Sequence, residues 1–275
     1  MSGTLYLLPN AVSGTPAAAV LPAETLAAAR RIERFFAEAA KSARAALKAM
    51  DHPKRIAELT IEEIGHDPDP ARIDAWLAPV LAGEDAAIIS ESGCPGIADP
   101  GAQIVSRAHA LGIRVKPLVG PSSILLALMA SGFDGQRFRF SGYLPIAADE
   151  RKAAIAKLEA QSRSSETQLF IETPYRNTQM LESLLSTVHP STRILVATDI
   201  TGEAESIRML AAADWLKLPA AARELPKLPT VFGLLALAAH APRYAPEGAA
   251  KKGAAHKGRR DEARRGRGPR RGDAS

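Results

Sequence analysis

Residues 86–101 constrain this chain more than any other stretch. A short apolar run, Ala86-Ala87-Ile88-Ile89, stops at Ser90, and Gly93, Pro95 and Gly96 forbid a regular element behind it. Asp99-Pro100-Gly101 then reads as a helix start, with Asp99 at the N-cap and Pro100 at the first helical position, ahead of an apolar-periodic run to Ala110. A strand feeding a glycine-rich loop and then a helix is how α/β proteins build ligand clefts at the carboxyl ends of their strands. On its own the stretch is equally an ordinary strand-to-helix connection.

The same alternation recurs along the chain. Strands are expected at 4–8, 32–37, 86–89 and 113–118, with helices at 23–30, 39–50, 69–81 and 100–110 between them. The segment 56–64 is extended or mixed. Gly83 suits the end of the third helix, and Ser122 or Ser123 can cap a helix over 124–130 that Gly132 ends. The pattern restarts with strands at 138–144, 168–172, 193–198 and 229–235, and helices at 149–161 and, after a polar loop at 173–177, to about 187. Alternating elements through both halves imply two α/β domains with largely parallel sheets. The expected boundaries are 1–120, 121–241 and a basic, disordered tail at 242–275 in which Gly, Ala, Lys and Arg dominate without periodicity.

With 275 residues there is ample chain for two modest cores. No apolar run is long enough to span a bilayer, and residues 5–8, cut off by Pro9, are too short for a signal peptide, so a cytoplasmic, non-membrane protein is expected. Cys94 is the only cysteine, which excludes an intramolecular disulfide, and the six histidines show no ligand spacing, so no metal is expected. The charge is lopsided. From Lys251 on, ten Lys and Arg face three acidic residues, +7 in all; the whole chain is +5, so the remainder carries −2. A flexible cationic arm at 251–271 adds affinity for nucleic acid through phosphate neutralisation, or serves as a solubilising tail.

Five segments in order make the chain resemble a known family. They are Ser90-Glu91-Ser92-Gly93-Cys94-Pro95-Gly96-Ile97-Ala98-Asp99-Pro100-Gly101, Leu118-Val119-Gly120-Pro121-Ser122-Ser123, Phe140-Ser141-Gly142-Tyr143-Leu144-Pro145, Phe170-Ile171-Glu172-Thr173-Pro174-Tyr175-Arg176 and Asp199-Ile200-Thr201-Gly202-Glu203. Together they resemble the tetrapyrrole methylase superfamily of S-adenosylmethionine-dependent methyltransferases, and within it the ribosomal RNA small-subunit methyltransferase I type. Two stretches depart from that pattern. The family's Pro-Thr-Pro-Ile-Gly-Asn-Leu is replaced by Leu8-Pro9-Asn10-Ala11-Val12-Ser13-Gly14, and its Glu-Asp-Thr-Arg survives only as Glu38, with Arg44 one helical turn on. The chain looks like a divergent branch.

The resemblance implies a cleft between the domains that binds S-adenosylmethionine. By the same resemblance, Ser92, Gly93, Pro95, Asp99, Gly120, Pro121, Ser122, Glu172, Thr173, Tyr175 and Thr201 contact the cofactor, and Glu38, Arg176 and Asp199 are the catalytic candidates. It further implies RNA as partner, a ribose 2′-hydroxyl of ribosomal RNA as acceptor, and a homodimer. Methylation of a tetrapyrrole-like small molecule, and an RNA-binding relative that has lost catalysis, remain as alternatives.

The residues themselves allow this chemistry. Methyl transfer from a sulfonium is an in-line displacement whose acceleration comes mainly from positioning, and it needs no triad or metal. Gly93, Gly120 and Ser122 offer exposed N–H groups and close backbone approach, though they also serve as plain turn and cap residues. Arg176 suits an RNA phosphate or a bound carboxylate, or simply compensates Glu172. Asp199, Thr201 and Glu203 can bond ribose hydroxyls or assist proton loss, or form a solvated loop. Cys94 reads as a small loop residue, with nothing basic beside it to make it a nucleophile.

Overall fold

In the first half, short strands alternate with alanine-rich helices, and the central strands bury both of their faces. The computed structural model describes residues 2–236. Strands β1 (Thr4–Leu8), β2 (Arg34–Ala37), β3 (Thr60–Glu63), β4 (Ala86–Ile89) and β5 (Arg114–Pro117) form one sheet in the order β3-β2-β4-β1-β5, parallel throughout. Helices α1 (Ala17–Val20), α2 (Ala23–Arg31), α3 (Ala40–Ala49), α4 (Ile73–Leu81) and α5 (Ala102–Ala110) connect them. Side-chain alternation divides the core. Leu8, Phe35, Ala87 and Ile89 pack with Ala29 and Leu47 of α2 and α3, while Leu5, Phe36, Ala86 and Ile88 pack with Leu77 and Ile104 of α4 and α5.

The second sheet holds β6 (Phe138–Tyr143), β7 (Thr167–Glu172), β8 (Arg193–Thr198), β9 (Ser206–Ala211) and β10 (Thr230–Leu235) in the order β6-β7-β10-β8-β9. Helix α6 (Ser123–Ser131) covers one face through Ile124, Ala127 and Leu128. Helices α7 (Ala148–Ser162), α8 (Asn177–Thr187) and α9 (Ala212–Lys217) cover the other, around Phe170, Phe232 and Trp215. The Phe170 and Phe232 rings stack 5.7 Å apart on adjacent strands.

The expected two-sheet α/β architecture is present, with two corrections. The first concerns strand direction. Parallel pairing holds across the first sheet and for β6–β7, but β7–β10, β10–β8 and β8–β9 are antiparallel. The connection 199–205 is too short for a parallel crossover, so β9 must turn back on β8. β9 and α9 carry no clear periodicity and were not expected. The second concerns Asp99, which is not the N-cap of α5. The helix starts at Ala102, and Gly101 caps it at φ +119, with the Ile88 side chain 3.2 Å from where a Cβ would stand. Ser122 does cap α6, accepting from the Leu125 N–H at 3.5 Å, and Gly132 ends that helix in the left-handed region. The tail at 242–275 lies outside the described residues.

Phe170→Ala should cost about 3–5 kcal/mol, because it opens a cavity beside Phe232. Truncating exposed Phe138 on edge strand β6 should cost a small fraction of that. Urea midpoints of the two variants check the contrast.

Candidate functional site

The loops that leave β1, β4 and β5 interlock. Asn10 N donates to Gly93 O at 2.9 Å and Gly93 N to Asn10 O at 3.2 Å, a two-residue bridge that ties the first loop to the second. Gly93 needs its left-handed φ of +72 there. A Cβ on it would stand 3.4 Å from Val12 Cγ1 and 3.5 Å from Pro121 O. At Gly120 the approach is closer still: a Cβ would fall 2.4 Å from that of Pro9. Cys94 Sγ donates to Pro121 O at 3.4 Å, and burial raises the thiol pKa, so Cys94 is not poised as a thiolate. The turns at Gly93 and Gly120 therefore face one another and pack together.

The first loop also reaches the second sheet. Ser13 Oγ lies 3.1 Å from Thr201 Oγ1, and Thr15 Oγ1 donates to Thr201 O. Thr201 (φ +68) and Asp199 (φ +50) are non-glycine residues in the left-handed region. The turn that holds them is braced: Asp199 Oδ2 accepts from Ala204 N at 2.9 Å, and Glu205 Oε2 accepts from Thr201 N at 2.7 Å.

A cavity of 230 Å³ opens at the ends of β7, β8 and β10. Ile171, Ala197, Ile200 and Val231 give it apolar walls, Glu172, Thr230 and Ser123 line it with polar groups, and Val12 enters from the first loop. Glu172 is buried, and its Oε1 accepts from Thr173 N at 2.6 Å and Arg176 Nε at 3.0 Å. Arg176 is thus bound to Glu172.

Of the residues singled out from sequence, Glu172 alone lines the cavity. Ser122, Thr173 and Thr201 each adjoin a lining residue, and Ser92 reaches Val12 O with its hydroxyl at 3.4 Å. Gly93, Pro95, Gly120 and Pro121 belong to the interlocked turns behind Val12. Tyr175 points out, 82% exposed. Glu38 and Asp99 lie elsewhere, at the ends of β2 and β4. Glu38 Oε1 is 3.1 Å from His66 Nδ1. Burial raises the Asp99 pKa to about 6, and the Glu38 and Glu91 carboxylates push the same way, against a lowering hydrogen bond from Ser90.

Sequence reasoning missed Val12, Ser13 and Thr15, because the altered first loop carries no motif. It also missed Pro229 and Thr230, whose only signal was the start of the last apolar run. Among the described residues no cluster of His, Cys, Asp and Glu has metal-binding geometry.

A family model described as tetrapyrrole (corrin/porphyrin) methylases matches residues 16–214. The chain belongs to this family. Curated relatives include a ribosomal RNA small subunit methyltransferase I from Pseudomonas aeruginosa, 35% identical over 51% of this chain and 50% of the relative, and one from Escherichia coli O157:H7, 33% identical over 50% and 46%. The chain spans about half the length of the curated relatives it matches. Among solved structures, the methyltransferase CobJ aligns with TM-score 0.56 at 18% identity, covering 86% of this chain and 95% of that one. A uroporphyrin-III-C-methyltransferase from Thermus thermophilus aligns with TM-score 0.51 at 18% identity, covering 86% and 93%. These structural matches establish the fold of the tetrapyrrole methylases.

The Asp99 shift predicts a stability profile. Its folded pKa lies above the unfolded value, so between pH 3.8 and about 6 the native state holds more protons than the unfolded one. Stability therefore falls as pH rises through that window and stays low above it. Asp99→Asn should raise the urea midpoint at pH 7, and the gain should vanish by pH 4. Equal gains at both pH values would show that titration is not the cause.

Proposed function

We propose that this chain is an S-adenosylmethionine-dependent methyltransferase acting on ribosomal RNA, at a ribose 2′-hydroxyl. The observation that carries the reading is the cavity at the ends of β7, β8 and β10, closed on one side by Val12 from the interlocked first loop. Its walls fit the donor. Ile171, Ala197, Ile200 and Val231 suit a flat heteroaromatic ring, and a few convergent polar groups, Glu172, Thr230 and Ser123, suit its hydroxyls. When bound, the donor supplies a methyl group on a sulfonium.

The chain's residues have the remaining tasks. Val12 and the bonds from Ser13 and Thr15 to Thr201 hold the first loop across the cleft and exclude water. Glu172 and Arg176 keep the β7 end rigid, so positioning supplies most of the acceleration. Of the three catalytic candidates, Arg176 is held by Glu172, and Asp199 is used in its own turn. Glu38 is paired with His66 at the end of β2, away from the residues that line the cavity. The curated relatives support RNA as substrate, and the tail at 251–271 supports it through its charge. The family resemblance supports a homodimer and a cytoplasmic location. Among the described residues no helix is long and apolar enough to cross a membrane.

Labelled methyl transfer from S-adenosylmethionine should appear in RNA of ribosomal small subunits and be resistant to alkaline hydrolysis at the modified position. Transfer only into a porphyrin fraction would replace the substrate. No transfer, with donor binding also absent in calorimetry, would leave an RNA-binding relative. Separately, removing the tail from Pro242 on should weaken RNA binding and flatten its salt dependence while donor affinity holds. An unchanged salt slope in filter binding would refute that role.

A further inference from the structure

The exposed ring of Tyr175 is held by far more buried structure than a surface side chain needs. Its backbone sits between Glu172 and Arg176, whose ion pair is anchored by a carboxylate only 1% exposed. Directly behind it, Asn177 is 1% exposed and donates through Nδ2 to Pro226 O at 3.1 Å, Leu228 O at 2.8 Å and Thr230 Oγ1 at 2.9 Å. Thr178 Oγ1 accepts from Leu225 N at 2.9 Å. The segment 225–228 is thereby fixed on the start of α8, and it carries Lys227, whose Nζ lies 5.6 Å from the centre of the Tyr175 ring.

A second aromatic stands at the same sheet edge. The β6–β7 register shifts between Phe140 and Tyr143, and Gly142 takes φ +66. Such a bulge re-aims the following side chain. Tyr143 lines the cavity while 59% exposed. Pro174, beside Tyr175, lines the same cavity. One tyrosine thus stands in the mouth, the other just outside it, and the Lys227 ammonium lies over the outer ring.

Resting on the RNA reading above, we propose that Tyr175, with Tyr143 and Lys227, is a stacking platform for an unpaired nucleotide of the RNA substrate, presented at the mouth of the donor cavity. An aromatic face takes any base, a neighbouring ammonium balances phosphate charge, and such platforms select single strands over duplex. This moves Tyr175 from the donor's contacts to the acceptor's. Glu172 and Pro174 line the cavity, while the Tyr175 ring stands exposed beside them.

The test uses the full chain and an unstructured oligoribonucleotide carrying 2-aminopurine, whose fluorescence is quenched on stacking, so the basic tail does not produce the signal. The wild type should quench it, and the matching duplex should not. Tyr175→Ala should lose the quench and bind about tenfold more weakly, while Tyr175→Trp restores both. Donor affinity by calorimetry should be the same in all three. If Tyr175→Ala binds and quenches like the wild type, the platform is wrong and the RNA reading stands. If donor affinity falls together with RNA affinity, the ring belongs to the donor site and the proposal is overturned. If the wild type binds no RNA but binds uroporphyrin in a Tyr175-dependent way, the RNA reading and the platform fall together.

Discussion

The closeness of Pro9 and Gly120 governs the rest of the structure. Any side chain at residue 120 would occupy the Pro9 ring, so the loops after β1 and β5 can nest only with glycine there. Nesting brings Asn10 beside Gly93, and their paired backbone bonds satisfy groups that would otherwise be buried unpaired. It also sets Val12 against Gly93 and aims Ser13 and Thr15 at Thr201. A single steric allowance in the first sheet thus fixes where that sheet touches the second, and hence where the cavity lies.

The second sheet contributes rigidity by a different route. A carboxylate as buried as Glu172 is tolerable only because Thr173 N and the Arg176 guanidinium both reach it. Removing the arginine would leave a buried charge without a partner, which costs far more than the pair contributes. Asn177 follows similar logic. Its Nδ2 faces two carbonyls and a hydroxyl while its Oδ1 has no partner. Turning the amide over would set oxygen against two carbonyl oxygens, so the present orientation is enforced despite the orphaned acceptor. The mouth of the cavity is built on polar groups that have one workable arrangement each.

Much of this was legible in the chain. β1, β4 and β8 fall where their apolar runs place them, and α8 follows the polar turn after β7, starting one residue earlier than expected, at Asn177. Strand direction was not legible, because a strand buried on both faces reads the same in either sense; β10 enters antiparallel between β7 and β8 with no local mark of it. The length of 199–205 was the available clue that Asp199 to Thr201 begins a hairpin. Asp99 misled because its local pattern is that of a cap, whereas its carboxyl interacts with Ser90 and the neighbouring acids. At the site, the motifs marked strand ends correctly but could not say which side chain faces inward. The interlocking of Pro9, Gly93 and Gly120 joins residues far apart in sequence, and only the fold brings them together.

The distribution of charge follows from the same geometry. Glu38, Glu91 and Asp99 gather at the ends of β2 and β4, close enough for the first two to raise the pKa of the third. Glu91 also accepts from Ser42 at the start of α3, which keeps it there. A polyanion meeting this edge of the first sheet is repelled, and the part of the chain before the tail is itself slightly negative. Lys227 and the Glu172-bound Arg176 stand instead at the edge of the second sheet. On the proposed RNA reading, a strand meets less repulsion across β6 and β7, toward Tyr143 and Tyr175, than at the acidic edge.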